Sequence, residues 1–272
     1  MLKLAITGKG GVGKTTLASL LARLYAADGS TVLAIDANPD ANLGTALGIS
    51  PKDLQRITPI AEMKELIEER TGGKPGTTGG IFKINPKVDD IPERFSIKKD
   101  GLRLLVMGTV KKGGGGCMCP ESALLRNLLN HLVLRKSEIV IMDMDAGIEH
   151  LGRATATAVN AFIVVVEPGQ RSVETARAVK RLAQDIGIKK CYVVGNKIAS
   201  DADRQFITEN LPDFELLGYI SFNSKIAEAD RKGISPYDND AKVVSEVKAI
   251  KERLEAISMR RSSAPITARS GR

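Results

Sequence analysis

The feature that most constrains the fold is a glycine-rich segment near the start of the chain. It reads Gly8-Lys9-Gly10-Gly11-Val12-Gly13-Lys14-Thr15-Thr16 and lies between an apolar run and an amphipathic one. A strand, a glycine loop and a helix in this order bind phosphate, because the glycines let backbone N–H groups turn toward an anion and the helix adds the positive end of its dipole. The segment therefore predicts nucleotide binding through Gly8, Gly10, Gly11, Val12, Gly13, Lys14, Thr15 and Thr16.

Three side chains of this loop have predicted roles of their own. Lys14 is placed to reach the β- and γ-phosphates, so we expect it to act in catalysis, and the Thr15 hydroxyl is placed to ligate Mg²⁺. Lys9 is a second lysine at the start of the loop. Because Lys14 already serves the phosphates of its own chain, we expect Lys9 to point elsewhere.

Apolar runs and helical patterns alternate along the rest of the chain. The apolar runs are continuous, which is typical of parallel strands covered on both faces. We predict an α/β fold, a single P-loop NTPase domain with a doubly wound, mostly parallel sheet of about seven strands flanked by helices. The predicted strands are 2–7, 31–35, 102–107, 139–142, 162–166, 191–194 and 216–220, and the predicted helices are 15–28, 120–134, 173–186, 203–211 and 241–257.

The composition agrees with one large α/β domain. The chain has 272 residues, 43% of them hydrophobic, which is enough for a sizeable core. No apolar run approaches the roughly 20 residues needed to cross a bilayer, and the chain enters its first strand without a signal peptide. We therefore expect a cytoplasmic protein with no membrane partner.

Three segments depart from the alternating pattern. Residues 71–101 are rich in Gly, Pro and Asp, which predicts a surface excursion that faces a partner. Residues 113–119 form a glycine-rich Cys-x-Cys segment. Residues 259–272 are predicted to be a disordered basic tail after a P-loop ATPase domain spanning 1–258. About half of the formal charge of +8 comes from residues 251–272, with six basic and two acidic residues, so a nucleic-acid partner is not expected.

Polar residues that follow two of the apolar runs are candidates for the nucleotide site. In an open α/β sheet the ligand lies beyond the carboxyl ends of the strands. Asp143 follows one run and is placed to hold Mg²⁺ through water, and Gly147 can donate its N–H to the γ-phosphate. Asp36 ends another run, where it can ligate Mg²⁺ through water or brace the loop. Asn196, at the end of a later run, can hydrogen-bond an adenine edge.

The glycine loop resembles the deviant Walker A family of the MinD, ParA and nitrogenase iron protein type, whose signature is K-G-G-x-G-K-T-T. The resemblance implies a homodimer that encloses two ATP molecules, with Lys9 of each chain touching the partner's nucleotide, and an adenine contact from Asn196. Relatives carry D-x-D-P after the second strand, and their second Asp orients the attacking water. This chain has Asn38 there, so either Asp40 replaces it in catalysis or hydrolysis is slow.

The Cys-x-Cys segment predicts a metal site. Cys117 and Cys119 point to the same side of an extended segment, and Pro120 suits the first turn of a helix. We expect the helix dipole to lower the pKa of Cys119 and favour its thiolate. A closed site for a soft or borderline metal needs four ligands, so two copies about a two-fold axis would complete it with four thiolates. The alternative is a pair of inert or redox-sensitive thiols.

The other cysteine and the histidines are weaker candidates. Cys191 lies within a predicted strand and is expected to be a buried small residue. His131 lies in a predicted helix and is more consistent with packing or surface exposure than with metal binding. His150 follows Asp143 and is a candidate nucleotide sensor.

Taken together, Lys9, the cysteine pair, residues 142–150 and the strand end around Glu167 resemble the CooC and AcsF group. These are nickel-handling ATPases that mature carbon monoxide dehydrogenase and acetyl-CoA synthase. The resemblance implies an ATPase that uses ATP and Mg²⁺, binds one Ni²⁺ between two subunits at Cys117 and Cys119 of each, and passes it to either apo-enzyme. Zn²⁺ would compete at four thiolates. The alternatives are a ParA- or MinD-type positioning ATPase, an iron–sulfur ATPase like the nitrogenase iron protein, and a nucleotide-gated metal carrier with negligible turnover.

Overall fold

The strand that precedes the glycine loop lies inside an eight-stranded sheet. The structure is a computed structural model that describes residues 2–76, 80–109, 119–134, 138–145, 159–188 and 190–262. The strands are β1 (Lys3–Thr7), β2 (Val32–Ala37), β3 (Ile97–Lys99), β4 (Leu102–Val106), β5 (Ile139–Met144), β6 (Ala161–Val166), β7 (Cys191–Ile198) and β8 (Glu215–Ser221). Their order across the sheet is β3-β4-β2-β5-β1-β6-β7-β8.

All neighbouring strands pair in parallel except β3 and β4, which are antiparallel. The chain starts in the middle of the sheet, adds strands on one side of β1, and then adds β6, β7 and β8 on the other side. This is the predicted doubly wound, mostly parallel arrangement, so the predicted fold class is confirmed. The carboxyl end of β1, where the winding direction changes, is where such folds bind ligands.

Helices cover both faces of the sheet. The described helices are α1 (Lys14–Ala27), α2 (Leu43–Ala46), α3 (Pro51–Leu54), α4 (Lys64–Thr71), α5 (Ile91–Phe95), α6 (Pro120–Leu134), α7 (Gln170–Asp185), α8 (Asp201–Asn210), α9 (Ser224–Lys232), α10 (Pro236–Asn239) and α11 (Ala241–Ser262). A short 3-10 turn spans Ile60–Glu62.

Alternate residues of each strand enter one of two hydrophobic cores. Leu4 and Ile6 of β1 lie in the core shared with α1 and α11, whereas Ala5 lies in the core shared with α6 and α7. Helix α1 contributes Leu17, Leu20, Leu21 and Leu24 at helical spacing. Burying one such leucine is worth roughly 1.5–3 kcal/mol, so these contacts fix α1, and with it the glycine loop, against the sheet.

The sheet contains one strand that the sequence analysis did not predict. β3 has three residues, Ile-Lys-Lys, and forms the half-exposed edge of the sheet. Because it carries two lysines and no apolar run, it lacks the pattern from which the other strands were predicted.

Residues 71–101 do not lie entirely on the surface. They include α5 and β3, and Val88, Ile91 and Pro92 are buried. The apolar residues among the Pro and Asp positions explain this packing. The last helix, α11, continues to Ser262, so the predicted boundary at 258 falls inside a helix. Within the described residues, no helix is long and apolar enough to span a membrane.

Candidate functional site

At two positions of the glycine loop between β1 and α1, a side chain would clash with a neighbouring strand. Gly8 has φ 144°, and a Cβ there would lie 2.4 Å from the carbonyl oxygen of Val165. Gly13 has φ 98°, and a Cβ there would lie 2.1 Å from Asn196 Nδ2. Both positions therefore require glycine, and both hold the loop close to the neighbouring strands β6 and β7.

The N-terminus of α1 supplies the positive end of the site. Gly13 is the N-cap and offers no side-chain cap to the first turn, so the first backbone N–H groups of α1 remain suited to an anion. Lys14 is 8% exposed, and its Nζ donates to the carbonyl oxygen of Lys9, 3.2 Å away. The Lys14 side chain therefore reaches back from the N-terminus of α1 to the start of the loop.

Asp143, at the carboxyl end of β5, faces the first turn of α1. Thr15 Oγ1 donates to Asp143 Oδ2 at 2.6 Å. Burial raises the pKa of Asp143 to about 7, the charge of Asp36 adds to the rise, and the bond from Thr15 opposes it. Asp143 Oδ1 is buried and has no hydrogen-bond partner among the described residues. A buried carboxylate with an unused oxygen beside a threonine hydroxyl fits Mg²⁺ and its water shell.

Asp36, at the end of β2, braces the loop that follows it. It is fully buried, and its Oδ2 accepts a hydrogen bond from Leu43 N at 2.9 Å. Its Oδ1 accepts from the backbone N of Asn38 at 3.1 Å and from Asn38 Nδ2 at 3.3 Å. Of the two roles expected for Asp36, Mg²⁺ ligation through water and bracing of the loop, these contacts support bracing.

Asn38 and Asp40, the two candidates for the catalytic role, lie in different surroundings. Asn38 Nδ2 also donates to the carbonyl oxygen of Asp143 at 3.2 Å, so its amide points into the site. Asp40 is exposed. Its role in orienting water stays a prediction.

Lys9 is held by a carboxylate of its own chain. Its Nζ lies 3.2 Å from Glu167 Oε1, and Lys197 Nζ lies 2.9 Å from Glu167 Oε2. Burial raises the pKa of Glu167, but the hydrogen bonds from Lys197 and Lys9 outweigh it and hold that pKa below its usual value. Lys197 has φ 59°, a left-handed conformation that is uncommon for lysine. The three side chains form an ion-pair cluster at the edge of the loop.

Asn196 supports the glycine loop from β7. It is 4% exposed, its Nδ2 donates to the carbonyl oxygen of Val12 at 2.7 Å, and its Oδ1 accepts from Lys197 N at 2.8 Å. The expected contact with adenine stays a prediction.

An open cavity of about 690 Å³ extends from the glycine loop toward the carboxyl end of β8. One end is polar and belongs to the loop and α1, and the other end is more apolar. The side chains and backbone that line it include Gly13, Lys14, Thr15, Thr16, Asn42, Thr45, Asn196, Lys197, Phe222, Asn223, Ile226, Ile234 and Pro236. A polar end for phosphates and an apolar end for a base suit a nucleotide.

The structure corrects the expected state of Cys119. Its thiol is buried, 4% exposed, and burial raises the pKa of Cys119 although hydrogen bonds with Ser122 oppose the shift. The Sγ–H donates to Ser122 Oγ at 3.1 Å, and Ser122 N donates to Sγ at 3.5 Å. The expectation of a lowered pKa for Cys119 is therefore wrong, because burial, with a smaller effect of the neighbouring Glu121, raises it.

Several predicted residues lie outside the described part of the chain. These are Cys117, Gly147, His150, most of the 113–119 segment and residues 263–272 of the predicted tail. Within the described residues, no group of three or more His, Cys, Asp and Glu side chains is arranged to hold a metal ion. Cys191 is half-buried and packs against a core, with burial raising its pKa to about 12, and His131 is half-buried in α6.

Two parts of the site were not predicted from the residues themselves. Glu167 pairs with Lys9, 158 residues earlier in the chain, and with Lys197, 30 residues later. No local pattern reveals contacts at these separations. The cavity wall at Phe222 and Asn223 follows β8. A polar turn after that predicted strand was a usable signal, since ligands lie beyond the carboxyl ends of such strands.

The chain is similar to known proteins in both sequence and fold. Residues 3–237 match the CobQ/CobB/MinD/ParA nucleotide binding domain family. The carbon monoxide dehydrogenase accessory protein CooC of Rhodospirillum rubrum is 49% identical over 237 residues, 87% of this chain and 90% of the relative. An uncharacterized ATP-binding protein of Methanocaldococcus jannaschii is 43% identical over 252 residues, 92% of this chain and 96% of the relative.

Solved structures share the fold at low sequence identity. A chain of the MinC:MinD cell division protein complex of Aquifex aeolicus has a TM-score of 0.68, 20% identity and 98% coverage of both chains. MinD of Pyrococcus horikoshii, solved with Mg-ADP, has a TM-score of 0.64, 16% identity, and coverage of 97% of this chain and 100% of its own. At these identities the likeness concerns the fold alone.

Proposed function

The chain belongs to the CobQ/CobB/MinD/ParA nucleotide-binding family, and from that premise we propose that it is an ATP-dependent factor that loads nickel into carbon monoxide dehydrogenase or acetyl-CoA synthase. The observation that carries the proposal is the 49% identity with the carbon monoxide dehydrogenase accessory protein, which extends over most of both chains. The residues of the nucleotide site fit the ATPase part of this function.

The nucleotide site assigns a task to each of its main groups. The first turn of α1 and Lys14 bind the phosphates, and Asn196 keeps the loop in shape through Val12. Thr15 and Asp143 would hold Mg²⁺, which neutralises charge on the β- and γ-phosphates when bound. Asp40 lies in an exposed loop beside Asn38, where it is the remaining carboxylate candidate for orienting water.

Metal binding would be coupled to nucleotide binding through dimer formation. One chain offers Cys117 and Cys119, and a closed thiolate site for Ni²⁺ or Zn²⁺ needs four donors. Two chains closing over ATP would provide them, with Lys9 of each chain reaching the partner's nucleotide. Because the Cys119 thiol is buried and hydrogen-bonded to Ser122, it must turn outward for this. ATP would then raise nickel affinity, and nickel would raise ATP affinity.

A nickel titration tests the proposal. The protein is purified without oxygen, supplied with Mg²⁺ and ATP, and titrated with Ni²⁺ as wild type and as the Cys117→Ser/Cys119→Ser variant. We expect about one nickel per dimer in the wild type and a loss of at least 100-fold in affinity in the double variant. Cys191→Ser is the matched control, since this thiol lies in β7, and it should bind nickel like the wild type.

Two outcomes would overturn the proposal. Nickel binding that is unchanged in the double variant would place the metal elsewhere. An iron–sulfur absorbance band in the purified protein would favour electron transfer in the manner of the nitrogenase iron protein. A client assay completes the test, with nickel-free carbon monoxide dehydrogenase gaining activity only when protein, nickel and ATP are all present.

A further inference from the structure

Asn38 lies where two strands that carry carboxylates end. Its backbone N and its Nδ2 both donate to Asp36 Oδ1, at 3.1 and 3.3 Å. The same Nδ2 donates to the carbonyl oxygen of Asp143 at 3.2 Å. One amide group therefore connects the loop after β2 both to the end of β2 and to the end of β5.

Asp36 completes this connection at the other end of the loop. Its carboxylate is fully buried, and its second oxygen accepts from Leu43 N at 2.9 Å, at the start of α2. The hydrogen bonds described for this carboxylate all come from the loop. A buried carboxylate needs hydrogen-bond donors, so Asp36 and the loop stabilise each other's position. Asn38 also connects the loop to β5 through its hydrogen bond to the carbonyl oxygen of Asp143.

We propose that Asn38 is a positioning residue, whose amide N–H groups tie residues 38–43 to Asp36 and to the strand that carries Asp143. An aspartate at this place has the same shape but cannot donate. It would set one carboxylate oxygen against Asp36 Oδ1 in a buried setting, where like charges repel strongly. The inference rests on the proposed Mg·ATP site and adds which residue keeps Asp36 and Asp143 of that site in position.

This assignment separates Asn38 from a catalytic role. A catalytic group at this position would need to accept a proton or carry charge, and an aspartate would then be the better residue. A positioning group needs hydrogen-bond donors, and the asparagine is then the better residue. Substitution by aspartate therefore gives opposite results under the two roles.

The test uses Asn38→Ala, Asn38→Asp and the control Asp40→Asn, which alters an exposed carboxylate of the same loop. Hydrogen exchange is measured without nucleotide, and we expect the Leu43 amide to exchange at least tenfold faster in both Asn38 variants. ATP affinity is measured in Mg²⁺ and in EDTA. In Asn38→Ala, the gain in affinity that Mg²⁺ provides should fall at least fivefold, while affinity in EDTA changes less than twofold. The control should match the wild type in the exchange measurement.

Turnover of Asn38→Asp decides between the two roles. We expect it to be no higher than that of the wild type. A rate increase in Asn38→Asp, with Leu43 protected as in the wild type, would overturn the inference and make Asn38 a substituted catalytic residue. If the wild type fails to bind ATP, the proposed function fails, but the exchange of Leu43 in Asn38→Ala still tests the positioning role. If Asn38→Asp does not fold, the exchange of the Leu43 amide and the Mg²⁺ dependence of ATP affinity in Asn38→Ala still test the positioning role.

Discussion

Two buried carboxylates, Asp36 and Asp143, make the electrostatics of this site unusual at the residue scale. Asp36 is satisfied by three N–H donors from the loop that follows it, whereas Asp143 has one bond from Thr15 and one oxygen without a partner among the described residues. Burial disfavours a charged carboxylate. A cation bound beside Asp143 would offset this cost and favour the ionised carboxylate.

The raised pKa of Asp143 predicts a pH dependence of stability in the absence of metal and nucleotide. The folded-state pKa is about 7 and the reference value is 3.8. The folded state therefore binds the proton more tightly, and stability decreases as pH rises between these values. Asp143→Asn removes this titration. As pH rises from 5 to 8, the unfolding free energy of the variant should increase by about 2–3 kcal/mol relative to that of the wild type. Urea unfolding in EDTA measures the difference, and a difference that is independent of pH would contradict the assignment.

The pairing of Lys9 with Glu167 predicts an effect on assembly. If Lys9 must leave Glu167 to reach a partner, Glu167→Gln should strengthen ATP-dependent dimerisation several-fold. Lys197→Gln should weaken it, since Glu167 would then hold Lys9 alone. Because partly exposed ion pairs contribute at most about 1 kcal/mol, both variants should melt close to the wild type. Sedimentation at several protein concentrations measures association, and a weaker dimer in Glu167→Gln would show that Glu167 stabilises the dimer instead.

At the element scale, the glycine loop, the strand ends and most element bounds were predictable from the sequence. The seven predicted strands and five predicted helices all occur, because continuous apolar runs and helical spacing reflect burial directly. β3 was not predicted, since an edge strand needs no apolar run. The shorter helices α2, α3, α4, α5, α9 and α10 were likewise not predicted. The ion pair between Glu167 and Lys9 and the hydrogen bond from Asn38 to Asp143 were not predicted either. They join strands through contacts between residues far apart in the chain, and only the folded sheet brings these residues together.

The backbone of the glycine loop provides a prediction at this scale. Gly8→Ala would place a Cβ 2.4 Å from a backbone oxygen at φ 144°, so we expect a loss of roughly 2 kcal/mol or more of stability. Gly10→Ala is the matched control, because a Cβ there meets nothing within 4 Å, and it should lose less than about 1 kcal/mol. Thermal unfolding without nucleotide compares the two. Equal losses would contradict the described loop geometry.

At the scale of the whole molecule, the parallel sheet places the candidate nucleotide-binding groups together at the carboxyl ends of its strands. The carboxyl ends of β1, β2, β5, β6 and β7 carry the glycine loop, Asp36, Asp143, Glu167 and Asn196. Cys119 precedes α6, which packs on one face of the same sheet. In the proposed dimer, a second copy of the chain that meets these strand ends would link nucleotide binding to exposure of the cysteines.

The most direct test of ATP-dependent dimerisation with nickel binding is the mass and nickel content of the same sample, with and without a slowly hydrolysed ATP analogue and Mg²⁺. With the analogue we expect a species of about 58 kDa, twice the 29.1 kDa of the chain, with two nucleotides and one nickel. Without nucleotide we expect a nickel-free single chain. A chain that stays single with the analogue bound, or that binds nickel as a single chain without nucleotide, would contradict this expectation.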